Sequence, residues 1–327
     1  KGKSDLKPIN KNIIKLKKKF SNKNLIIMSQ VNPGFTEKIN WNKDKLFHQV
    51  ETLIFGKAYY RALKPERIII GAKNENKKLN KDIKNYYDKF KCPIIVTNYK
   101  TSELIKISIN LFLISSISTS NLLSKICKKI GAEWDDIENS LRSDKRIGKY
   151  AYLKPGLGIS GGNLERDLFN IINISYKNKI ENNLFQVWKK NSSSQQEWAY
   201  EIYKNYIKKL NIKKIGILGL SYKENTNSVK NSPAIRLIKK LSKINFYVFD
   251  PVVKNINLRN VFKCKNIKEV VKKSKIIFIL TPWKKFKKIN LNLIKRSNIV
   301  MIIDPFGVLK SFSKKLSKNN IKYFSLN

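Results

Sequence analysis

The stretch Lys154-Pro155-Gly156-Leu157-Gly158-Ile159-Ser160-Gly161-Gly162 constrains this chain more than any other. Four glycines within seven positions behind a proline exclude a regular helix or strand, because glycine supplies backbone angles and a closeness of approach that a Cβ forbids. Asn163-Leu164-Glu165-Arg166-Asp167 follows and leads into an apolar run from Leu168 to Ile174. A helix start there would gather loop amides and the Asp167 carboxylate in one place, where a ligand oxygen or phosphate would fit. A flexible surface turn is equally consistent with these residues alone.

The length of 327 residues leaves room for roughly two domains with real cores. A hydrophobic content of 42% shows that the formal charge of +45 does not mean disorder. Lysine rather than arginine supplies the excess, spread along the whole chain and accompanied by abundant asparagine and isoleucine. All three have A/T-rich codons, so gene base composition explains the charge more simply than a nucleic-acid face. Arginine forks, interleaved aromatics and zinc spacings are also absent, so no specific nucleic acid is expected. A diphosphate-bearing small ligand remains compatible.

Three cysteines, Cys92, Cys127 and Cys264, lie far apart with no metal spacing, which fits a reducing cytosol and no metal site. His48 is the single histidine, so a His-based zinc site or a Ser-His-Asp triad is not expected, and a structural role is the simpler one. Residues 104–123 come nearest to a membrane span, yet Lys106, Asn110 and scattered Ser/Thr point to a buried helix and no membrane. Lys106 and Asn110 are one turn apart on one face, so they either snorkel to solvent or line a polar pocket.

In order, the expected elements begin with a basic helix at 11–19, a buried strand at 25–29 and an Asn32-Pro33-Gly34 turn. No partner for that strand is evident on its N-terminal side, and the chain opens on Lys1, so an upstream piece is expected. Strands at 68–71 and 93–97 flank an exposed helix at 74–91. Thr101 is expected to cap the next helix, which Gly131 ends, and another helix starts at Glu133. A helical stretch from 168 to 210 is expected to break at Asn191-Ser192-Ser193-Ser194. Beyond Lys213, strands at 215–220, 246–250, 275–280 and 299–304 alternate with helices. That is a doubly wound parallel sheet with its ligands at the strands' carboxyl ends.

Six segments in order resemble the UDP-glucose/GDP-mannose dehydrogenase family. Ser29-Gln30-Val31-Asn32-Pro33-Gly34 is similar to its S-T-V-P-x-G turn, and Glu51 to Gly71 to its E-F-L-x-E-G…P-D-R-I-x-I-G segment. Ser102-Glu103-Leu104-Ile105-Lys106 with Asn110 and Phe112 resembles T-A-E-L-x-K-x-x-x-N-x-F, and Asp144 to Gly148 resembles D-x-R-I-G. The glycine loop looks like P-G-x-G-x-G-G-S-C-F-P-K-D, and Gly219 to Lys223 with Ser232-Pro233-Ala234 like G-L-A-F-K…E-S-P-A.

The resemblance implies an α/β enzyme: a partial Rossmann-like NAD-binding domain over 1–98, a helical central dimerisation region over 99–210, and a C-terminal nucleotide-sugar-binding doubly wound sheet over 211–327. It implies a cytoplasmic homodimer that uses NAD to oxidise the C6 hydroxyl of a nucleotide sugar such as UDP-glucose. Carried over by position, Lys106, Asn110 and Asp167 would surround a catalytic water and the developing oxyanion, and Glu51 would be a general acid/base. Gly156, Gly158, Ile159, Gly161 and Lys223 would contact substrate, with Arg146 reaching it from the partner subunit. Ser29 and Lys230 would approach the cofactor.

Several positions depart from the pattern. Asn163 stands where the family has its cysteine nucleophile, Phe306 where arginine is common, and Phe55 where glutamate is common. An amide cannot form a thiohemiacetal, so the reaction is expected to stop at the aldehyde or to use its hydrate. The G-x-G-x-x-G turn that normally follows the cofactor domain's first strand has no counterpart at the start of this chain, which is expected to bind NAD poorly. The alternative is a catalytically silent nucleotide-sugar-binding homologue; a basic nucleic-acid binder ranks third.

Overall fold

The computed structural model describes residues 5–54, 56–73 and 78–326. The elements run α1 (Lys7–Phe20), β1 (Leu25–Ile27), β2 (Leu46–Gln49), α2 (Ala58–Leu63), β3 (Ile68–Ala72), α3 (Lys81–Asp88), β4 (Ile94–Asn98) and the long α4 (Tyr99–Ile130). Then come α5 (Trp134–Ser143), α6 (Asn163–Lys177), α7 (Asn183–Ile202), β5 (Lys214–Leu218), α8 (Pro233–Lys240), β6 (Asn245–Phe249) and β7 (Val261–Lys263). The chain closes with α9 (Ile267–Lys273), β8 (Ile276–Ile279), α10 (Leu291–Lys295), β9 (Met301–Ile303), α11 (Ser313–Ser317) and β10 (Lys322–Phe324).

These elements form two compact units, the first comprising residues up to Phe112 with Arg166–Glu181, the second Leu113–Glu165 with Asn182–Asn327. The boundary passes through α4 and α6, so the helical centre is apportioned between them.

The first unit is built on a sheet of order β1-β2-β3-β4, parallel except where β2 meets β3. Strand β3 is buried along its whole length, which is why Ile68-Ile69-Ile70 reads as an unbroken apolar run. Leu46 packs with Ile13, Ile27, Trp41 and Tyr99 on one face, while its neighbour Phe47 packs with Ile68, Ile70, Ile83 and Tyr87 on the other. The period of two thus places a helix layer on each side.

Gly71 explains how α4 docks on this sheet. A Cβ there would stand 2.1 Å from Ser102 Oγ and 3.2 Å from the Tyr99 Cα, so β3 and the first turn of α4 touch backbone to backbone. Asn98, not Thr101, caps that turn, its side chain accepting the Thr101 N–H at 2.8 Å.

The second unit carries a fully parallel sheet of order β10-β9-β8-β5-β6-β7. Its strands alternate faces: Ile215, Ile217, Phe246, Val248, Ile276 and Phe278 point into one core, Leu218, Phe249, Ile277 and Ile279 into the other. The expected doubly wound parallel sheet is present.

Some expectations need correction. Strands β2, β7 and β10 were not foreseen, because three or four residues broken by polar side chains give no readable apolar period. α7 runs straight through Asn191–Ser194, and the break falls between α6 and α7 at 178–182. The serines do not end the helix because their hydroxyls are satisfied, Ser193 by the Lys189 carbonyl at 3.0 Å and Ser192 by the Ile159 N–H at 2.8 Å. α4 is long and apolar enough by composition to cross a membrane, and 39% of that apolar stretch is buried inside the protein. Phe55 and residues 74–77 of the expected exposed helix lie outside the described residues.

Gly71→Ala is expected to push α4 off β3 and destabilise the first unit by roughly 1–3 kcal/mol, measured by urea unfolding against wild type.

Candidate active site

In the first unit one stripe of α4 gathers the site. Glu103, Lys106 and Asn110 are spaced by three and four residues, hence on one face of the helix. Each reaches a different segment. Glu103, 1% exposed, accepts the Gly34 N–H at 2.5 Å and the Thr36 N–H at 2.7 Å. Burial pushes its carboxyl pKa up, while hydrogen bonds from the 34–36 turn pull it back. The turn it fixes follows Gln30 by four residues. Lys106 Nζ lies 3.7 Å from Glu51, which follows β2 and also accepts the Leu53 N–H.

Asn110 donates to Asp167, a fully buried carboxylate on α6. Gln30 donates to the same oxygen, and Arg166 approaches the other at 3.4 Å while also donating to the Gln30 amide oxygen. Burial raises the Asp167 pKa, opposed by Asn110, then Arg166 and Gln30. A carboxylate withdrawn from water needs donors in place of its solvent shell, and here two amides and a guanidinium supply them. Of the two fates open to Lys106 and Asn110, the polar pocket is the one observed. Gln30 and Arg166 were missed. The signal for Arg166 was adjacency to Asp167; Gln30, distant in sequence, gave none.

A small cleft is lined by Ser29, Gln30, His48, Glu51, Glu103 and Lys106. His48 sits 2% exposed, its Nδ1 2.8 Å from Ser102 Oγ, and burial holds its pKa down to about 4 despite a bond to the Ser29 backbone. Its burial and its bond to Ser102 are consistent with the structural role expected of a lone histidine.

In the second unit the glycine loop is not a loose turn. Asn121 accepts the Gly156 N–H at 2.8 Å, Gln195 donates to the Gly156 carbonyl at 3.3 Å, and Asn231 donates to the Gly161 carbonyl at 2.8 Å. Ile159, 1% exposed, gives its N–H to Ser192 and its carbonyl accepts from Gln196, so neither its side chain nor its amide group is presented to a ligand. Gly158 has φ +72, and a Cβ would lie 2.6 Å from the Ser192 carbonyl oxygen, so both conformation and closeness require glycine. Gly156 lies under Phe306, and Gly161 under the Tyr222 ring. Lys223 is half-buried, its pKa lowered by burial, with Nζ 5.6 Å from the Tyr222 ring centroid. The Lys230 stem runs along Gly162, while Asn163 opens α6 exposed to solvent. The Arg146 side chain is 89% exposed and paired with Asp144 at 2.6 Å.

Among the described residues none forms an NAD pyrophosphate cradle. Such a cradle needs a glycine turn directly after a strand. Residues 156–161 do spell G-x-G-x-x-G, but no strand precedes them and their backbone is held by Asn121, Ser192, Gln195 and Gln196.

Two family models match this chain: the UDP-glucose/GDP-mannose dehydrogenase family central domain over residues 100–193 and its UDP binding domain over residues 216–311. The UDP-glucose 6-dehydrogenase of Rickettsia prowazekii is 32% identical over 88% of this chain and 70% of its own length. A Bacillus subtilis relative provisionally named UDP-glucose 6-dehydrogenase is 28% identical over 81% of this chain and 65% of its own length. The chain thus spans about two thirds of the length of these relatives. A solved UDP-glucose dehydrogenase from Pyrobaculum islandicum shares the fold, with a TM-score of 0.82 and 21% identity over 99% of this chain and 76% of that one. The parallel C-terminal sheet and the helical centre are those of the nucleotide-sugar dehydrogenase fold. The chain belongs to the UDP-glucose/GDP-mannose dehydrogenase family.

The buried imidazole makes stability pH-dependent. With the folded-state pKa near 4, below the ordinary 6.5, the unfolded chain takes up the proton first as pH falls. This contribution is complete above pH 6.5 and is lost toward pH 4, by about 3 kcal/mol. Denaturant unfolding across that window should show a loss in wild type that is smaller by this amount in His48→Gln.

Proposed function

We propose that the protein oxidises the C6 hydroxyl of a nucleotide sugar, UDP-glucose or a close relative, toward the uronic acid. In this proposal it works in the cytoplasm as a homodimer and supplies precursors for polysaccharide synthesis. The observation that carries the proposal is the convergence of Asn110 and Asp167, with Lys106 and Glu51 beside them, in a chain of this family. NAD, the family's hydride acceptor, would supply the redox chemistry, and the described residues do not form its pyrophosphate turn.

Lys106 would stabilise the negative charge that develops on the sugar oxygen, since a half-withdrawn ammonium acts more strongly there than in bulk water. Asp167 and Asn110 would hold and orient a water. Glu51 is the acid/base candidate because its carboxylate reaches the ammonium and remains partly open to solvent. In the second unit Lys223, with Gly156, Gly158 and Gly161 as the fixed floor, would bind the substrate, and Lys230 and Ser29 remain candidates to approach the cofactor. Ile159 would serve by packing beneath the loop. Dimerisation is supported by Leu122, Ile126 and Ile130, an exposed apolar stripe at four-residue spacing along α4. Arg146, which projects into solvent, would act on a partner's substrate.

Asn163 has no thiol, so no thioester can form and the reaction should release the aldehyde or oxidise its hydrate. The same residue favours a second reading, a homologue that binds nucleotide sugars without turnover.

Both are tested by incubating the protein with a large excess of NAD, since its binding is expected to be poor, and a panel of UDP- and GDP-sugars, counting NADH per sugar and trapping aldehyde. One NADH with a trapped aldehyde is expected; two would refute release at that stage. Binding by calorimetry without NADH would establish the silent homologue, and absence of both would overturn the whole assignment. Lys106→Ala should lower kcat roughly a hundredfold with a much smaller change in KM.

A further inference from the structure

One side of α1 fixes it to the first unit. Ile13 is buried against Ile27, Trp41, Leu46 and Tyr99, and Ile9 packs at the edge of that cluster. The opposite side carries Lys7, Lys11, Ile14, Lys15 and Lys18, spaced by three and four residues and so forming one stripe. The four lysines are exposed, and Ile14 among them is 61% exposed. A helix of 14 residues is about 20 Å long, which makes the stripe a straight row of positive charge.

Base composition puts lysine on every surface of this chain, but on other helices a carboxylate answers the cations. Glu138 pairs with Arg142 on α5, Glu197 on α7 with Arg236 and Lys240 on α8, and Glu269 with Lys273 on α9. α1 holds six lysines and no acid, and among the described residues no carboxylate meets an ammonium group of the stripe. The macrodipole accounts for Lys17, Lys18 and Lys19 in the last turn but opposes Lys7 in the first. Like charges one turn apart also repel. The packing of Ile9 and Ile13 thus holds the helix against its own charge, and an anionic surface would relieve that repulsion.

Two details select the kind of anion. α1 has no arginine, so it offers point charges rather than the forks that grip individual phosphates. An exposed isoleucine within the row gains nothing from a nucleic-acid backbone, whereas among lipid headgroups apolar insertion adds to the attraction of each lysine. We propose that α1 docks the protein on an anionic lipid bilayer, with Lys7, Lys11, Lys15 and Lys18 over the headgroups and Ile14 inserted between them. The contact is peripheral rather than a membrane span, and it does not depend on the proposed activity.

The test is co-sedimentation of the full chain with phosphatidylcholine vesicles, with and without about a third phosphatidylglycerol. Binding to the anionic vesicles alone is expected, weakening steeply as salt is raised. Lys11→Glu/Lys15→Glu/Lys18→Glu should weaken it by about a hundredfold or more, and Ile14→Ser, which leaves the buried side intact, by severalfold. The matched reversal Lys314→Glu/Lys315→Glu/Lys318→Glu, at exposed positions on and beside α11, should leave it nearly unchanged. The proposal is overturned if neither vesicle binds or both bind alike, if the α11 reversal weakens binding as much as the α1 reversal, if Ile14→Ser changes nothing, or if a duplex oligonucleotide binds the same α1 lysines more tightly than the vesicles do.

Discussion

Asp167 is the constraint on which the first unit's chemistry rests. A fully buried carboxylate is unfavourable unless donors replace the water it loses, and these come from segments far apart in sequence: Gln30 from the turn after β1, Asn110 from α4 and Arg166 from α6 itself. Satisfying one charge therefore fixes three elements at once. Glu103 does the same one level down, holding the 34–36 turn that follows Gln30 in the chain. Two buried acids on or facing one helix thus convert a mostly apolar α4 into a scaffold for polar chemistry.

The second unit solves a related problem with neutral groups. A glycine loop has high conformational entropy, and order must be imposed from outside. Asn121, Ser192, Gln195, Gln196 and Asn231 impose it by bonding the loop backbone, while Leu157 and Ile159 anchor it in apolar surroundings. Farther along the same unit, Asp250 plays the organising part at the strand ends, joining the turns after β5, β6 and β8 through one carboxylate.

Much of this was legible in the sequence. The apolar runs of the C-terminal sheet give strands buried on both faces, and Lys106 with Asn110 marks a polar stripe on α4. The rest failed for identifiable reasons. Asn191–Ser194 resembles a helix break because serine and asparagine compete for backbone bonds, yet here Ser192 serves Ile159 and the helix continues. Glu103 appeared as part of a family-like segment, although its spacing from Lys106 placed it on the same face; its partners at Gly34 and Thr36 are visible only once the chain is folded. Gln30 carries no local signal, since its importance comes from the carboxylate it meets.

The most direct test of the central claim is hydrogen exchange in Asp167→Ala. Removing the carboxylate leaves the Arg166 charge, the buried Asn110 amide and the half-buried Gln30 amide without their acceptor, a loss of about 3–5 kcal/mol for a buried ionic cluster. The account predicts that amide protection falls by at least about a hundredfold in residues 28–36 and 166–177, with the β5–β10 sheet unchanged. Protection equal to wild type in both segments would contradict it, because the three elements would then be held together by something other than this carboxylate.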